Sequence, residues 1–385
     1  MPGRRLLCLL LVLGLQAAVW AKKPVPPGRI LRAPDPAARL VDRLQWAGRE
    51  ADSAAFRKGY WVGYAIRRLM GERSFIGSWP SRTRHEEPTI ESLVSIKKEG
   101  ESPKRSDEEI LREAARQTLE AAERRGAPER QVRKEIGIFL RFGPDSRRGP
   151  VSAEVSDLKL SFDFESLPLL WIGPAKNDES VSRLEALYRA AAGWDKKENL
   201  LAAVSIHQEP GAVIPFLDGV LKSPAPQNVR CEAAEALGEQ DDAQAVAILR
   251  RVIQSDASTE VRESAISGLA EMSRPEALEL LIETARRAPD ESLRREAVRG
   301  LAEKAAEKTR PAVGRLIFDD RDTEVQRRVV EVMGELPPAE ALPHLARIAE
   351  THSSPEVRRA AIEALGELED PAAVTILVKL IKGRF

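Results

Sequence analysis

Cysteine is almost absent from this sequence, with only Cys8 and Cys231 among 385 residues. Cys8 lies in an apolar N-terminal stretch that reads as a removable leader. That leaves Cys231 alone and excludes an internal disulfide framework. Stability must then come from a packed core, which a chain of this length can supply. Histidine is also scarce: His85, His207, His344 and His352 are the four, and no two have metal-ligand spacing. His85-Glu86-Glu87 lacks the second histidine of a metalloprotease helix. Aromatics make up 5% of the chain, which points to cores of small and aliphatic side chains. No sign of charge dominates, since Lys plus Arg and Asp plus Glu number 60 each. A general nucleic-acid binder would carry a large basic excess, so none is expected as partner. Gly-x-Gly-x-x-Gly, phosphate-loop and Gly-x-Ser-x-Gly motifs are missing. No catalytic residue, cofactor or metal ligand is therefore assigned.

What is present begins with residues 1–21, which have the layout of a secretory signal peptide. Arg4 and Arg5 supply the basic start, Leu6 to Leu15 the apolar stretch, and Val19-Trp20-Ala21 the cleavage region. The stretch is too short for an ordinary transmembrane helix. The expected mature chain starts at Lys22 and is exported, to the periplasm or beyond. Residues 22–36 carry Pro24, Pro26, Pro27, Pro34 and Pro36 and read as an extended linker.

Residues 37–173 predict a small mixed α+β domain. Leu40, Leu44, Ala47, Ala51 and Ala55 open a helical pattern that runs on to about Met70. Within it Phe56 and Tyr60, and Trp61 and Tyr64, are spaced to share a helical face. Core packing is the reading of this aromatic group, with a ligand platform as the alternative. Ser74 to Trp79 and Glu91 to Lys98 read as short strands. Ser106 and Glu109 form a capping box for a helix running to Arg125. Residues 132–142 alternate through Ile136, Ile138, Leu140 and Phe142 and predict a strand. Val151, Ala153 and Val155, followed by Leu158, Leu160, Phe162 and Phe164, predict a hairpin. Residues 174–196 form a connecting helix.

The last third organises the chain. Val229, Val261, Leu293, Val325 and Val357 recur at a constant spacing, and each opens a similar phrase. It reads Val-Arg-Cys-Glu-Ala-Ala-Glu-Ala-Leu-Gly from Val229 and Val-Arg-Arg-Ala-Ala-Ile-Glu-Ala-Leu-Gly from Val357. A second helix repeats in step through Leu217, Leu249, Leu281, Val313, Leu345 and Leu377, and through Leu221, Ile253, Ala285, Ile317, Ala349 and Ile381. Ser258, Asp290, Asp322 and Ser354 stand at equivalent N-cap positions. Helix pairs this short bury their apolar faces only by stacking on neighbours.

These residues resemble the short type of the HEAT repeat family, with its phrase Val-Arg-x-x-Ala-x-x-Ala-Leu-Gly. The resemblance covers residues 197–385, about six units of 32 residues. It implies a mainly α chain: a right-handed α-solenoid of HEAT-like helix pairs, preceded by the small mixed α/β N-terminal domain. The layout is similar to exported bacterial HEAT-repeat proteins. HEAT-like hydroxylases carry paired His-Glu motifs on repeat helices. None occurs in these repeats, so that activity is not carried over.

Two arginine series follow the period. Arg230, Arg262, Arg294 and Arg358 sit beside the apolar face of the first helix and read as structural repeat arginines, paired with acids such as Asp290 and Asp322. Arg251, Arg315, Arg347 and Lys379 lie outward on the second helix, with Glu283 breaking the series, and are the candidate partner-binding residues. The resulting expectation is a protein-binding scaffold with an acidic protein partner. The alternatives are an enzyme or cofactor protein with its site near Trp61, Trp79 and His85, and a structural cell-envelope component. His344 reads as an inward, packed residue of a second helix, and Cys231 as a small packing residue.

Overall fold

The structure, a computed structural model, describes residues 27–53, 56–72, 74–77, 89–95, 130–144, 149–303, 323–334, 336, 338–368 and 370–382. The chain divides into two compact units, one ending at Gln208 and one starting at Glu209. All six tryptophans and all three tyrosines precede Glu209.

The first unit is built on a five-stranded sheet in the order β1-β5-β2-β3-β4. The strands are β1 (Ile30–Arg32), β2 (Tyr60–Gly71), β3 (Gln131–Phe142), β4 (Ser152–Asp157) and β5 (Leu169–Pro174). β5 lies between β1 and β2 and runs parallel to both, whereas β2–β3 and β3–β4 are antiparallel. β2 and β3 pair along their whole lengths, from Tyr60 opposite Phe142 to Gly71 opposite Gln131.

The helical reading of residues 37–70 is corrected here. Helix α1 covers Leu40–Ala51, and the aromatic stretch that follows is the central strand β2. Tyr60 to Ile66 are all buried, because β2 has a strand on each side and packed layers on both faces. Burial on both faces removes the period-two alternation from the sequence, leaving a run rich in aromatic and β-branched residues. Trp61 and Tyr64 consequently face opposite sides of the sheet. Trp61 joins Ala65, Phe139, Phe164 and Trp171 in one core layer. There Phe162 stacks on Phe139 with ring centroids 4.7 Å apart.

Four further expectations change in this unit. Residues 30–32, inside the stretch read as an extended linker, form strand β1 and pair with β5. Residues 90–94 form a short helix, α2 (Ile90–Val94), capped by Thr89, whose Oγ1 accepts from Ser92 N–H at 3.2 Å. A short apolar run is compatible with either state, and the Thr89 cap decides it. Residues 74–77 are not in a strand, although Ile76 accepts at its carbonyl from Asp157 N–H. The expected hairpin is a single strand, β4, paired to β3. Leu158 to Phe164 leave the sheet so that Leu158, Phe162 and Phe164 fold over its aromatic face. The capping-box helix near Ser106, the leader and Trp79 lie outside the described residues.

The opposite face of the sheet carries α1, α3 (Asn177–Ala190) and α4 (Trp194–Ser205). Glu179 accepts from the Leu40 N–H at 2.7 Å, capping α1 from α3. Buried Arg43 of α1 donates to the Ile172 and Pro174 carbonyls at the end of β5.

The second unit is the repeat array. Its first helices are α6 (Gln227–Glu239), α8 (Thr259–Glu271), α10 (Glu291–Glu303), α11 (Thr323–Gly334) and α13 (Pro355–Glu367). Its second helices are α5 (Pro210–Lys222), α7 (Ala243–Ser255), α9 (Pro275–Arg287), α12 (Pro338–Thr351) and α14 (Pro371–Lys382). Val229, Val261, Leu293, Val325 and Val357 are all buried, as are Leu217, Leu249, Leu281 and Leu345. Ser258 and Ser354 accept from the N–H groups of Val261 and Val357 as their positions predict. Asp290 accepts from Ser292 N–H at 3.2 Å. The first helices α6 and α8 touch backbone to backbone. A Cβ on Gly238 would overlap the Gly268 carbonyl, and one on Gly268 would stand 2.7 Å from the Ala234 oxygen.

Candidate interaction surface

The outward columns of the second helices carry exposed residues of the repeat. Arg251 on α7, Arg347 on α12 and Lys379 on α14 share one register; Arg315 belongs to it and lies outside the described residues. Arg251 is half-exposed and donates to Asp218 of α5 at 2.6 Å. Lys222 reaches the same carboxylate at 2.5 Å. Arg250 donates to Glu283 of α9 at 2.8 Å. The Arg251–Asp218 and Arg250–Glu283 bonds join neighbouring second helices, whereas Lys222–Asp218 lies within α5. As surface pairs each contributes at most about 1 kcal/mol. Arg347 and Lys379 are exposed. Sequence spacing gave the register but missed Asp218, which belongs to the neighbouring column and meets Arg251 only across the helix-to-helix junction.

The first-helix arginines turn to the loops of the array. Arg230 pairs with Asp256 at 3.1 Å and Arg262 with Asp290 at 3.4 Å. Arg294 donates to the Ala288 and Pro289 carbonyls, and Arg358 to those of His352 and Ser353. Each guanidinium thus ties a loop at a helix end, where free carbonyls accumulate. Asp322 lies outside the described residues.

The first unit holds a buried polar chain that the sequence did not reveal. Tyr64 of β2, Ser180 of α3 and His207 after α4 are all fully buried. The Tyr64 and Ser180 hydroxyl oxygens are 3.0 Å apart, and Ser180 Oγ is 2.8 Å from His207 Nε2. His207 Nδ1 is 3.0 Å from the Val204 carbonyl, which can only accept. That fixes the directions: Nδ1–H donates to Val204, Ser180 donates to Nε2, and Tyr64 donates to Ser180. Burial pushes the His207 pKa down to about 4, against smaller opposing contributions from the Val204 and Ala203 backbone. Burial likewise pushes the Tyr64 phenol up, outweighing its bond to Ser180. A serine beside a neutral imidazole has the elements of a nucleophile and its base. Here both are sealed from solvent, and the imidazole is oriented by a carbonyl rather than a carboxylate. The chain joins β2, α3 and the end of α4.

The aromatic-platform alternative meets a buried Trp61, whose indole N–H donates to the Phe164 carbonyl at 3.1 Å. His85 lies outside the described residues. His344 corrects its expectation. It is exposed on α12, at the edge of a stripe centred on buried Ala341, Leu345 and Ile348. His352 is buried in the loop after α12, where its Nδ1 accepts from Ser354 N–H. Cys231 is half-buried, and burial pushes its thiol up, away from the reactive thiolate. Among the described residues no three His, Cys, Asp or Glu side chains form a metal-binding group, and no helix is long and apolar enough to cross a membrane.

Stacked two-helix units with continuous buried columns define the second unit as an α-solenoid. The sequence profile of HEAT repeats matches it three times, over residues 213–302, 278–351 and 311–384. The array belongs to the HEAT repeat family. Solved structures similar to this chain include human deoxyhypusine hydroxylase in complex with glycerol, at 21% identity over 54% of this chain and 82% of that one, with a TM-score of 0.24. The complex of CpcE and CpcF of phycocyanin lyase from Nostoc sp. PCC7120 matches at 18% identity over 53% and 82%, with a TM-score of 0.28. The Pds5–Scc1 complex matches at 17% identity over 53% of this chain and 34% of that one, with a TM-score of 0.24. No curated protein matches the sequence at a significant level.

Proposed function

We propose that this chain is an exported scaffold that binds a protein partner through the outward faces of its second helices, with no covalent step. HEAT repeats generally mediate protein–protein interaction. The observation that carries the reading is the division of labour in the array. The repeating apolar columns are spent on packing and the first-helix arginines on loops, while Arg347 and Lys379 of the outward register are exposed. An acidic partner surface fits that register. Export rests on the signal-like residues 1–21.

Arg251, Arg315, Arg347 and Lys379 changed together to Glu are expected to abolish capture of the partner in crosslinking from cell-envelope extract. The far-UV circular dichroism of the protein should be unchanged. Binding of the unaltered protein should weaken steeply with added salt, because exposed charges are screened. Capture that survives both the substitutions and the salt would remove this face as the binding site.

A further inference from the structure

We propose that the side chain of Gln208 is a plug that closes the open half of the β2 edge to strand addition. β2 runs for 12 residues and β5 for 6, and β5 pairs with β2 only from Trp61 to Ala65. Beyond Ala65, among the described residues, no strand lies on that side of β2, while β3 continues along the other side as far as Gly71. The backbone groups of every second residue point to the open side. The Ala65 carbonyl accepts from Ala175 N–H at 2.7 Å, where the chain runs on from β5. The Arg67 carbonyl accepts from Asn177 Nδ2 at 3.1 Å. Leu69, in the middle of the open stretch, is met at both groups by one side chain. Its N–H donates to Gln208 Oε1 at 2.8 Å, and its carbonyl accepts from Gln208 Nε2 at 2.9 Å. The Gly71 carbonyl takes the Ser74 N–H at 3.1 Å.

An added strand would bond Leu69 in the same way, with an N–H to its carbonyl and a C=O to its N–H. A primary amide carries both groups, so Gln208 answers Leu69 without a strand. The stretch needs such an answer. Arg67 is exposed and Leu69 is 46% exposed, and an open edge beside an exposed aliphatic side chain is a template for pairing with another chain. Fixing a glutamine at the surface costs side-chain entropy, and Gln208 is itself exposed. Its neighbours deliver it to the edge. Arg68 of β2 donates to the Ile206 carbonyl at 2.9 Å, and buried His207 is bonded to Ser180 at 2.8 Å. The two residues before Gln208 are thus anchored, and only its own side chain remains to be ordered. Asn177 supplies a donor alone, so closure of the Leu69 N–H depends on Gln208. The inference concerns the first unit and stands apart from partner binding by the array.

The test compares the unaltered chain with Gln208→Ala and with Gln208→Asn, which keeps an amide but is one methylene too short to reach both groups. Far-UV circular dichroism and tryptophan fluorescence should be unchanged, because Gln208 is exposed. In dilute solution, hydrogen exchange at the Leu69 amide should quicken about tenfold or more in both variants, while the amides of β2 that face β3 keep their protection. In concentrated solution both variants should sediment as larger species than the unaltered chain. A photo-crosslinking residue at position 69 should join β2 of one copy to β2 of another in the Gln208→Ala background, and should not do so with Gln208 in place. Unchanged exchange at Leu69 would show that the glutamine does not hold this edge. Protection lost throughout β2 would make Gln208 a support of the strand rather than a plug. Faster exchange without added association, or association through another surface, would show that the edge is not what the glutamine guards. Each of these results overturns the proposal.

Discussion

Gly238→Val is expected to destabilise the repeat array by about 3 kcal/mol, the upper part of the usual range for overpacking. Within a helix, replacing glycine ordinarily helps, by roughly 0.5–1 kcal/mol for alanine, because the unfolded chain loses freedom. Position 238 reverses that sign. A Cβ there would overlap the Gly268 carbonyl, and the obstacle is backbone, which cannot rotate aside as a side chain does. α6 and α8 must separate, and every buried contact along their junction loosens with them. Gly219→Ala on α5 is the matched comparison. It too is helical, but its Cβ would meet nothing within 4 Å, so a gain of roughly 0.5 kcal/mol is expected. Urea unfolding followed by circular dichroism reports both. Equal effects of the two substitutions would mean that the α6–α8 junction is looser than the structure has it.

The first unit is expected to lose about 3 kcal/mol of stability through His207 as pH falls from 6.5 to 4. The folded pKa of about 4 lies below the ordinary 6.5. In that window the unfolded chain takes a proton that the folded chain refuses, since Nε2 already accepts from Ser180 and a charge there would be buried. The contribution is complete above pH 6.5 and is lost as pH falls through 4. Carboxylates also titrate near the lower end, so the decisive quantity is the difference between the unaltered protein and His207→Gln. Unfolding followed by tryptophan fluorescence isolates this unit, because every tryptophan precedes Glu209. A pH dependence that is the same in both proteins would dismiss the buried imidazole as its source.

The array was legible in the sequence because each repeat is a local, self-consistent unit. Val229, Val261 and Val357 are marked by neighbours within one helix, and the caps at Ser258 and Ser354 lie three residues from the groups they serve. The sheet was only partly legible. β3 showed its alternation in part, but β2 is buried on both faces, so its residues have no polar side to display. Leu158 to Phe164 carried a strand-like alternation and instead left the sheet to cover its aromatic face, a choice set by residues such as Phe139 that are distant in sequence. The candidate stripe was legible as a register and not as a charge. Asp218, which pairs with Arg251, is brought to it by helix stacking. Likewise nothing near Ser180 in sequence announces Tyr64 or His207, which meet it from another strand and another helix.

The spacing between consecutive first helices has a mechanical consequence. At the α6–α8 junction an added carbon would stand 2.2 Å from the Gly268 oxygen at Gly238 and 2.7 Å from the Ala234 oxygen at Gly268; at Gly300 it would stand 3.0 Å from the Ala270 Cβ of α8, and at Gly334 3.4 Å from the Ala364 Cβ of α13. Since each repeat leans only on its neighbours, a pulling force has no shared core to break and is borne junction by junction. Of these three junctions α6–α8 is the tightest. Stretched by its ends, the array would keep the α6–α8 pair as the last of the three to yield.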